Sequence, residues 1–277
     1  MVLQTHRVKN TLRINMGPQH PSTHGVLRLE LELDGEVVVS CKPIIGYLHT
    51  GIEKTFETLT YVQGVTLTDR MDYLNPLGNN LAYSLSVEKL FDCEIPERAT
   101  VGRVLLAELT RINSHLIFVG TAGIDLGASS VFLYCLRERE RLMDLFEWLS
   151  GQRMMTSHIR PGGLAGDFEP EWLTECGKFL DDMPKQIDEY ESLLTNNPLF
   201  KERMIGIGVL NADDAIAYGV TGPMLRACGI PQDLRKTNPY LGYETYDFDA
   251  VVAEGGLVAD LIAVIASTDP VMGEVDR

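Results

Sequence analysis

The hydrophobic period of this chain changes once, from two to helical, near residue 53. Before that point Leu27, Leu29, Leu31 and Leu33 alternate with Arg28, Glu30 and Glu32, the spacing of a half-buried strand. Asp34-Gly35 follows, a dipeptide suited to the positive-φ positions of a hairpin turn, and Val37, Val39 and Cys41 alternate on the return. A shorter run, Leu12 to Met16, precedes them. After residue 53 the spacing predicts helices over residues 53–62, 79–91, 97–120, 129–149, 171–195 and 212–218. The expected fold is therefore α+β and mostly α. An N-terminal antiparallel β region spans residues 1–52, and a helical core spans 53–254.

Charge and cysteine spacing narrow the chemistry. The 39 acidic against 24 basic residues give a net charge of −15, which argues against a phosphate-tracking surface and so against nucleic acid. The chain of 277 residues is long enough to bury a sizeable core. Cys41, Cys93, Cys135, Cys176 and Cys228 stand singly, so no pair has the spacing of a zinc or iron–sulfur ligand set, and a reducing compartment is expected. The first seven residues lack the apolar core of a signal peptide. The most apolar long stretch, 101–119, contains Arg103, Glu108, Arg111 and His115 and reads as a buried helix, not a membrane span. Gly206-Ile207-Gly208 lacks the third glycine of a dinucleotide loop. The run Arg137-Glu138-Arg139-Glu140-Arg141 reads as a solvated helix face, with Ser129 or Ser130 capping that helix and Gly151 ending it.

Four segments carry polar groups in unusual settings. The loop Gly17-Pro18-Gln19-His20-Pro21-Ser22-Thr23-His24-Gly25 holds two imidazoles, but its prolines deny it the helix that a His-x-x-x-His metal site needs. One of those imidazoles could equally satisfy backbone groups of a tight turn. The segment Asp69 to Asn80 is polar and leads into an apolar helix, with Asn79 or Asn80 as its cap; Tyr73 within it has the character of an ordinary surface tyrosine. Asp125 sits between Gly123 and Gly127, either as a cap or as the partner of a cation. Arg160-Pro161-Gly162-Gly163 is a turn with a cation at its start.

Taken in order, MGPQHPSTHGVLRLELELDGE, GYLHTGIEKTFE, RMDYLNPLGNNLAYSLSVEKL, ELTRINSHL, GIDLGA and HIRPGG resemble the quinone-site subunit family of proton-pumping NADH–quinone oxidoreductase, respiratory complex I. The resemblance runs from about residue 10 to about residue 250. It implies a fold like the large subunit of nickel–iron hydrogenases. Those enzymes carry RxCxxCPxxH; here Arg70, Asp72, Asn75, Pro76 and Asn79 stand at the matching places. Oxygen and amide groups replace the soft thiolates that hold nickel and iron, so the resemblance implies an emptied metal site and no metal on this chain. It also implies a quinone headgroup in that space, met by His24 and Tyr73 at its two carbonyl oxygens, with Asp125 orienting His24. His20, His49, Glu53 and Arg160 are the supporting groups it points to. Electrons would arrive from a [4Fe–4S] cluster in a partner subunit. The expected partners are that small subunit, other peripheral-arm subunits and the membrane subunits at the quinone entry. The expected location is the cytoplasmic face of the bacterial cell membrane, peripherally bound.

Thr50 and Met155 depart from the family, many of whose members have Arg and His there. The pattern is lost after residue 254, so residues 255–277 read as a divergent tail in place of the family's C-terminal region. That departure raises an alternative, a truncated or scaffold product of the same family. A hydrogenase-type metalloenzyme is a further alternative, for which the four thiols are missing.

Overall fold

A computed structural model describes residues 11–253, and the divergent segment 255–277 lies outside them. The described residues divide into two units, the first ending at Thr58 and the second beginning at Leu59.

The first unit is built on a three-stranded antiparallel sheet, β1 (Leu12–Met16), β2 (Arg28–Asp34) and β3 (Val37–Ile44), in that order. The period of two decides which side chains meet. Leu12, Ile14 and Met16 lie opposite Leu33, Leu31 and Leu29, and Leu31 also faces Cys41. The alternate positions pair Arg13 with Glu32 and Glu30 with Lys42, opposite charges across neighbouring strands. Glu32 faces Ser40 while Leu33 faces Val38, so Val39 is an extra residue, a bulge that bends β3. Pro43 sits on this edge strand, the place where its missing N–H is tolerated. A short helix, α1 (Ile52–Phe56), closes the unit.

The second unit is helical, with α2 (Tyr61–Thr68), α3 (Pro76–Phe91), α4 (Glu97–Asp125), α5 (Ser129–Ser150) and α6 (Pro170–Tyr190) carrying most of the core. A two-stranded hairpin, β4 (Ile159–Arg160) with β5 (Gly163–Leu164), separates α5 from α6. Short helices follow: α7 (Pro198–Met204), α8 (Ala212–Ala217), α9 (Gly222–Ala227) and α10 (Leu234–Thr237). Of these the hydrophobic spacing predicts only α8; the others span one or two turns, too few for a helical period to stand out. On α6 the buried residues Trp172, Cys176, Phe179, Met183, Ile187 and Tyr190 recur every three or four positions, and Trp172 also donates its indole N–H to Leu145 O at 2.8 Å. The helix continues as a π-helical turn, Glu191–Thr195.

Several helix boundaries differ from the sequence reading for identifiable reasons. The expected helix 53–62 is two helices, because Thr60 and Gln63 form a capping box that starts α2 afresh. Pro76 at the first position starts α3, so Asn79 and Asn80 are its fourth and fifth residues and do not cap it. Ala128 precedes α5 without a side-chain cap, and Gly151 ends that helix at φ 74° as expected. The 137–141 run is not a simple solvated face. Glu138 is 1% exposed, paired with Arg137 and Arg141, and those arginines reach across to Glu189 and Asp182 of α6.

Charged residues in the apolar stretch of α4 are matched in pairs. Glu108 accepts from Arg111 Nε at 2.9 Å, Arg235 Nη1 at 3.1 Å and Tyr243 OH at 2.5 Å, tying residues 235–243 back to α4. Burial opposes ionisation of Glu108, but Arg111 and Arg235 outweigh it, so its carboxyl sits below the usual range. Among the described residues no helix is long and apolar enough to cross a membrane.

Candidate functional site

In the first unit, the histidine loop is shaped by Thr23. This residue is 1% exposed, and its hydroxyl lies 2.8 Å from Pro18 O and 2.9 Å from His20 O as their shared donor. Its carbonyl in turn accepts the N–H groups of Val26 and Leu27, both at 3.1 Å. Gly17 has φ 79°, and a Cβ there would overlap the carbonyl oxygen of Leu27, so no other residue fits. The result is a tight turn with a short 3-10 segment, Pro21–Thr23, that lifts both imidazoles outward. His20 and His24 are exposed, and His24 holds a left-handed backbone at φ 52°. The turn is thus built by a threonine, and His24 does not serve it as a buried backbone partner. His49 is also exposed, on the stretch before α1, and Glu53 lies in the first turn of that helix.

In the second unit, Tyr73 lies on the loop between α2 and α3 and is 49% exposed. Polar side chains of the loop and of the helices beside it hold its backbone. Asp72 accepts the Leu74 N–H at 3.2 Å, and Asn79 Nδ2 donates to Asp72 O at 2.9 Å. From α4, Asn113 Nδ2 donates to Leu74 O at 3.2 Å. Tyr73 therefore projects from a backbone tied at both neighbours.

Asp125 is the last residue of α4 and is exposed, so it is neither a cap for α5 nor a buried counter-ion within its own unit. The turn after it is closed by backbone bonds, including Ala128 N to Gly123 O at 2.7 Å, and by Arg203 Nη1 on Leu126 O at 2.6 Å. Arg160 is exposed on the β4–β5 hairpin, with its Nε donating to Ser157 O at 2.9 Å. The turn itself is held from beneath. Arg103 donates to Arg160 O at 2.7 Å and to Gly163 O at 3.0 Å, and Glu88 Oε1 accepts the Gly162 N–H at 2.7 Å.

Two groups near these segments escape a reading of the sequence. Asp69, four residues before Tyr73, is 0% exposed and accepts from the backbone N–H and the hydroxyl of Ser157. Burial pushes its carboxyl above the ordinary range, and the hydrogen bonds from Ser157 and Asn80 only partly offset this. Nothing in the local pattern announces it, since its partner lies 88 residues away. His158 is 2% exposed, its Nε2 has no hydrogen-bond partner among the described residues, and burial pushes its pKa down. His24, His20 and His49 thus belong to the first unit, and Tyr73, Asp125 and Arg160 to the second.

Known proteins similar to this chain agree with one another. Residues 125–256 match the family described as the 49 kDa subunit of respiratory-chain NADH dehydrogenase. The chain is 60% identical over 250 residues to the second D-type NADH-quinone oxidoreductase subunit of Chloroflexus aurantiacus, covering 90% of this chain and 61% of that one. It is 61% identical over 253 residues to the first such subunit of Roseiflexus castenholzii, covering 91% and 61%. With the first such subunit of Solibacter usitatus the identity is 58% over 236 residues, covering 85% and 58%. The chain spans about three fifths of the length of these relatives.

Proposed function

We propose that this chain, whose residues 125–256 match the family of the 49 kDa subunit of respiratory-chain NADH dehydrogenase and which is 60% identical to a D-type relative over 90% of its own length, forms the headgroup wall of a quinone-reducing site. The observation that carries this reading is the presentation of two proton donors. His24 and Tyr73 are both exposed, and each stands on a loop fixed by side chains beneath it, Thr23 for the first and Asn79 with Asn113 for the second. Reduction of a quinone to a quinol takes up two electrons and two protons, so each carbonyl oxygen needs a donor. An imidazolium and a phenol supply them. Asp125, exposed and uncommitted to a helix cap, is the carboxylate that would orient His24 and favour its charged form.

The electrons would come from a [4Fe–4S] cluster in a partner subunit, because the thiols of this chain stand singly. In this reading the protein works only inside an NADH–quinone oxidoreductase, bound peripherally at the cytoplasmic face of the membrane. His20, His49 and Arg160 would border the headgroup.

Replacing Tyr73 by Phe removes one hydroxyl and little volume. In the assembled oxidoreductase it is expected to lower quinone reductase turnover at least tenfold while leaving assembly and NADH-to-ferricyanide activity intact. Unchanged quinone turnover would remove Tyr73 from the donor role.

A further inference from the structure

We propose that Asp69 is a positioning residue for Arg160: its buried carboxylate fixes Ser157, and Ser157 in turn fixes the guanidinium. The chain of contacts is direct. Asp69 Oδ1 accepts the Ser157 N–H at 3.3 Å, and Asp69 Oδ2 accepts the Ser157 hydroxyl. The carbonyl of the same serine accepts Arg160 Nε at 2.9 Å. Ser157 has φ 43°, a left-handed backbone that a non-glycine residue adopts only where its surroundings impose it. The imposing group is Asp69, which grips both donors of that residue. Released, Ser157 would relax toward negative φ, its carbonyl would swing, and the guanidinium would lose the acceptor that aims it.

Two further features place Asp69 in this role. Its carboxylate forms no salt bridge among the described residues although it is 0% exposed; the guanidinium of its neighbour Arg70 donates instead to Thr66 O. A buried acid with only neutral partners is costly to keep and marks a site where geometry matters. The rest of the hairpin is already secured from the other side by Arg103 and Glu88, which bind Arg160 O, Gly162 N and Gly163 O. Those bonds fix the turn but leave the arginine side chain free to point elsewhere. Asp69 supplies the missing constraint, and it does so from the segment that also carries Tyr73. The two groups proposed to border the quinone are thereby referred to one another through a single buried carboxylate.

This inference rests on the quinone reading for its functional consequence, and the test separates the two. In the assembled oxidoreductase, Asp69→Ala is expected to raise KM for a short-chain ubiquinone analogue about tenfold with kcat within about twofold. Backbone hydrogen exchange in a peptide covering residues 153–165 should accelerate. Asp69→Asn keeps an acceptor for the serine N–H and should restore most of the KM. Adding Ser157→Gly to Asp69→Ala should restore part of it, because glycine holds a positive φ without help. If Asp69→Ala prevents assembly, Ser157→Ala, which removes one of the two bonds, carries the same test with a smaller shift. Unchanged exchange in these variants overturns the proposal, as does an Asp69→Asn variant as impaired as Asp69→Ala, which would mean that charge and not geometry is required. Faster exchange with unchanged KM in both Asp69→Ala and Arg160→Ala supports the clamp and removes Arg160 from the quinone site.

Discussion

Arg103 and Glu88 form a two-pronged ion pair out of reach of solvent, with Nη1 to Oε2 at 3.0 Å and Nη2 to Oε1 at 2.5 Å and side-chain exposures of 0% and 5%. The same two side chains bind three backbone groups of the β4–β5 turn. Breaking such a pair leaves a buried charge without compensation, so Glu88→Ala should cost about 3–5 kcal/mol of folding stability. Glu88→Gln, which keeps an acceptor for the Gly162 N–H, should cost less. Denaturant titration of the purified chain measures both, and a loss below about 1 kcal/mol for Glu88→Ala would deny the pair its structural role.

Gly102 faces the segment that follows this turn. A Cβ there would come to 2.7 Å from Phe168 Cε2 and 2.8 Å from Leu164 Cδ1. Alanine in a helix interior is ordinarily worth about 1 kcal/mol over glycine. Here overpacking should reverse the sign, and Gly102→Ala is expected to destabilise by roughly 1–3 kcal/mol in thermal or denaturant unfolding. Stabilisation would mean that the Phe168 ring moves aside freely.

What the sequence discloses follows how local each signal is. The period of two along β2 and the three-to-four spacing along α5 and α6 are local, and the sheet and long helices fall where those patterns lie. Boundaries shift where a short-range competitor acts, as with the Thr60–Gln63 capping box and with Pro76. The loops bearing His24 and Tyr73 are legible as loops, because proline and glycine punctuate them. The partners that hold them are not. Asn113 reaches Leu74 over 39 residues, Asp69 reaches Ser157 over 88 and Arg235 reaches Glu108 over 127, distances at which a single sequence carries no pairing signal.

The cysteines divide by environment. Cys135 and Cys176 are 1% and 2% exposed, and burial pushes both thiols up to about 12. Cys41 and Cys93 are exposed. A thiol reagent at pH 8 should therefore label Cys41 and Cys93 within minutes in the native chain, and Cys135 and Cys176 only after denaturation. Native-state labelling of Cys135 would contradict the burial of that face of α5.

Asp125 allows stability and activity to be separated. It is exposed at the end of α4, where a carboxylate faces the negative end of the helix dipole, and among the described residues no ion pair of its own unit depends on its charge. Asp125→Asn should leave unfolding stability within about 0.5 kcal/mol of the unaltered chain, or raise it slightly. If the residue orients His24, the same variant should lower quinone reduction in the assembled enzyme several-fold. Equal activity would leave Asp125 without that role.

His115 gives the chain a predictable response to acid. Burial, reinforced by the charge of Arg111, pushes its pKa down to about 3, against the opposing influence of Glu108; Arg226 and Arg235 act in the same direction as Arg111. In the unfolded chain the same imidazole titrates near its ordinary value of about 6.5. Between these values the unfolded state binds a proton that the folded state refuses, so stability falls as pH drops from about 6.5 toward 3. His158, pushed down by burial, adds to the effect in the same direction. The depressed carboxyls of Glu108 and Asp233 also favour folding at higher pH, but their unfolded counterparts take up protons only near pH 4; in the upper part of the window the histidines set the decline, against the opposite pull of the raised Asp69 carboxyl. Unfolding midpoints measured between pH 7 and pH 5 should decline in the unaltered chain. They should decline less in His115→Gln, and least when His158 is also replaced by a side chain that does not titrate. A midpoint independent of pH across that interval in both the unaltered chain and Asp69→Asn, which removes the opposing carboxyl, would mean that both imidazoles take up protons in the folded state.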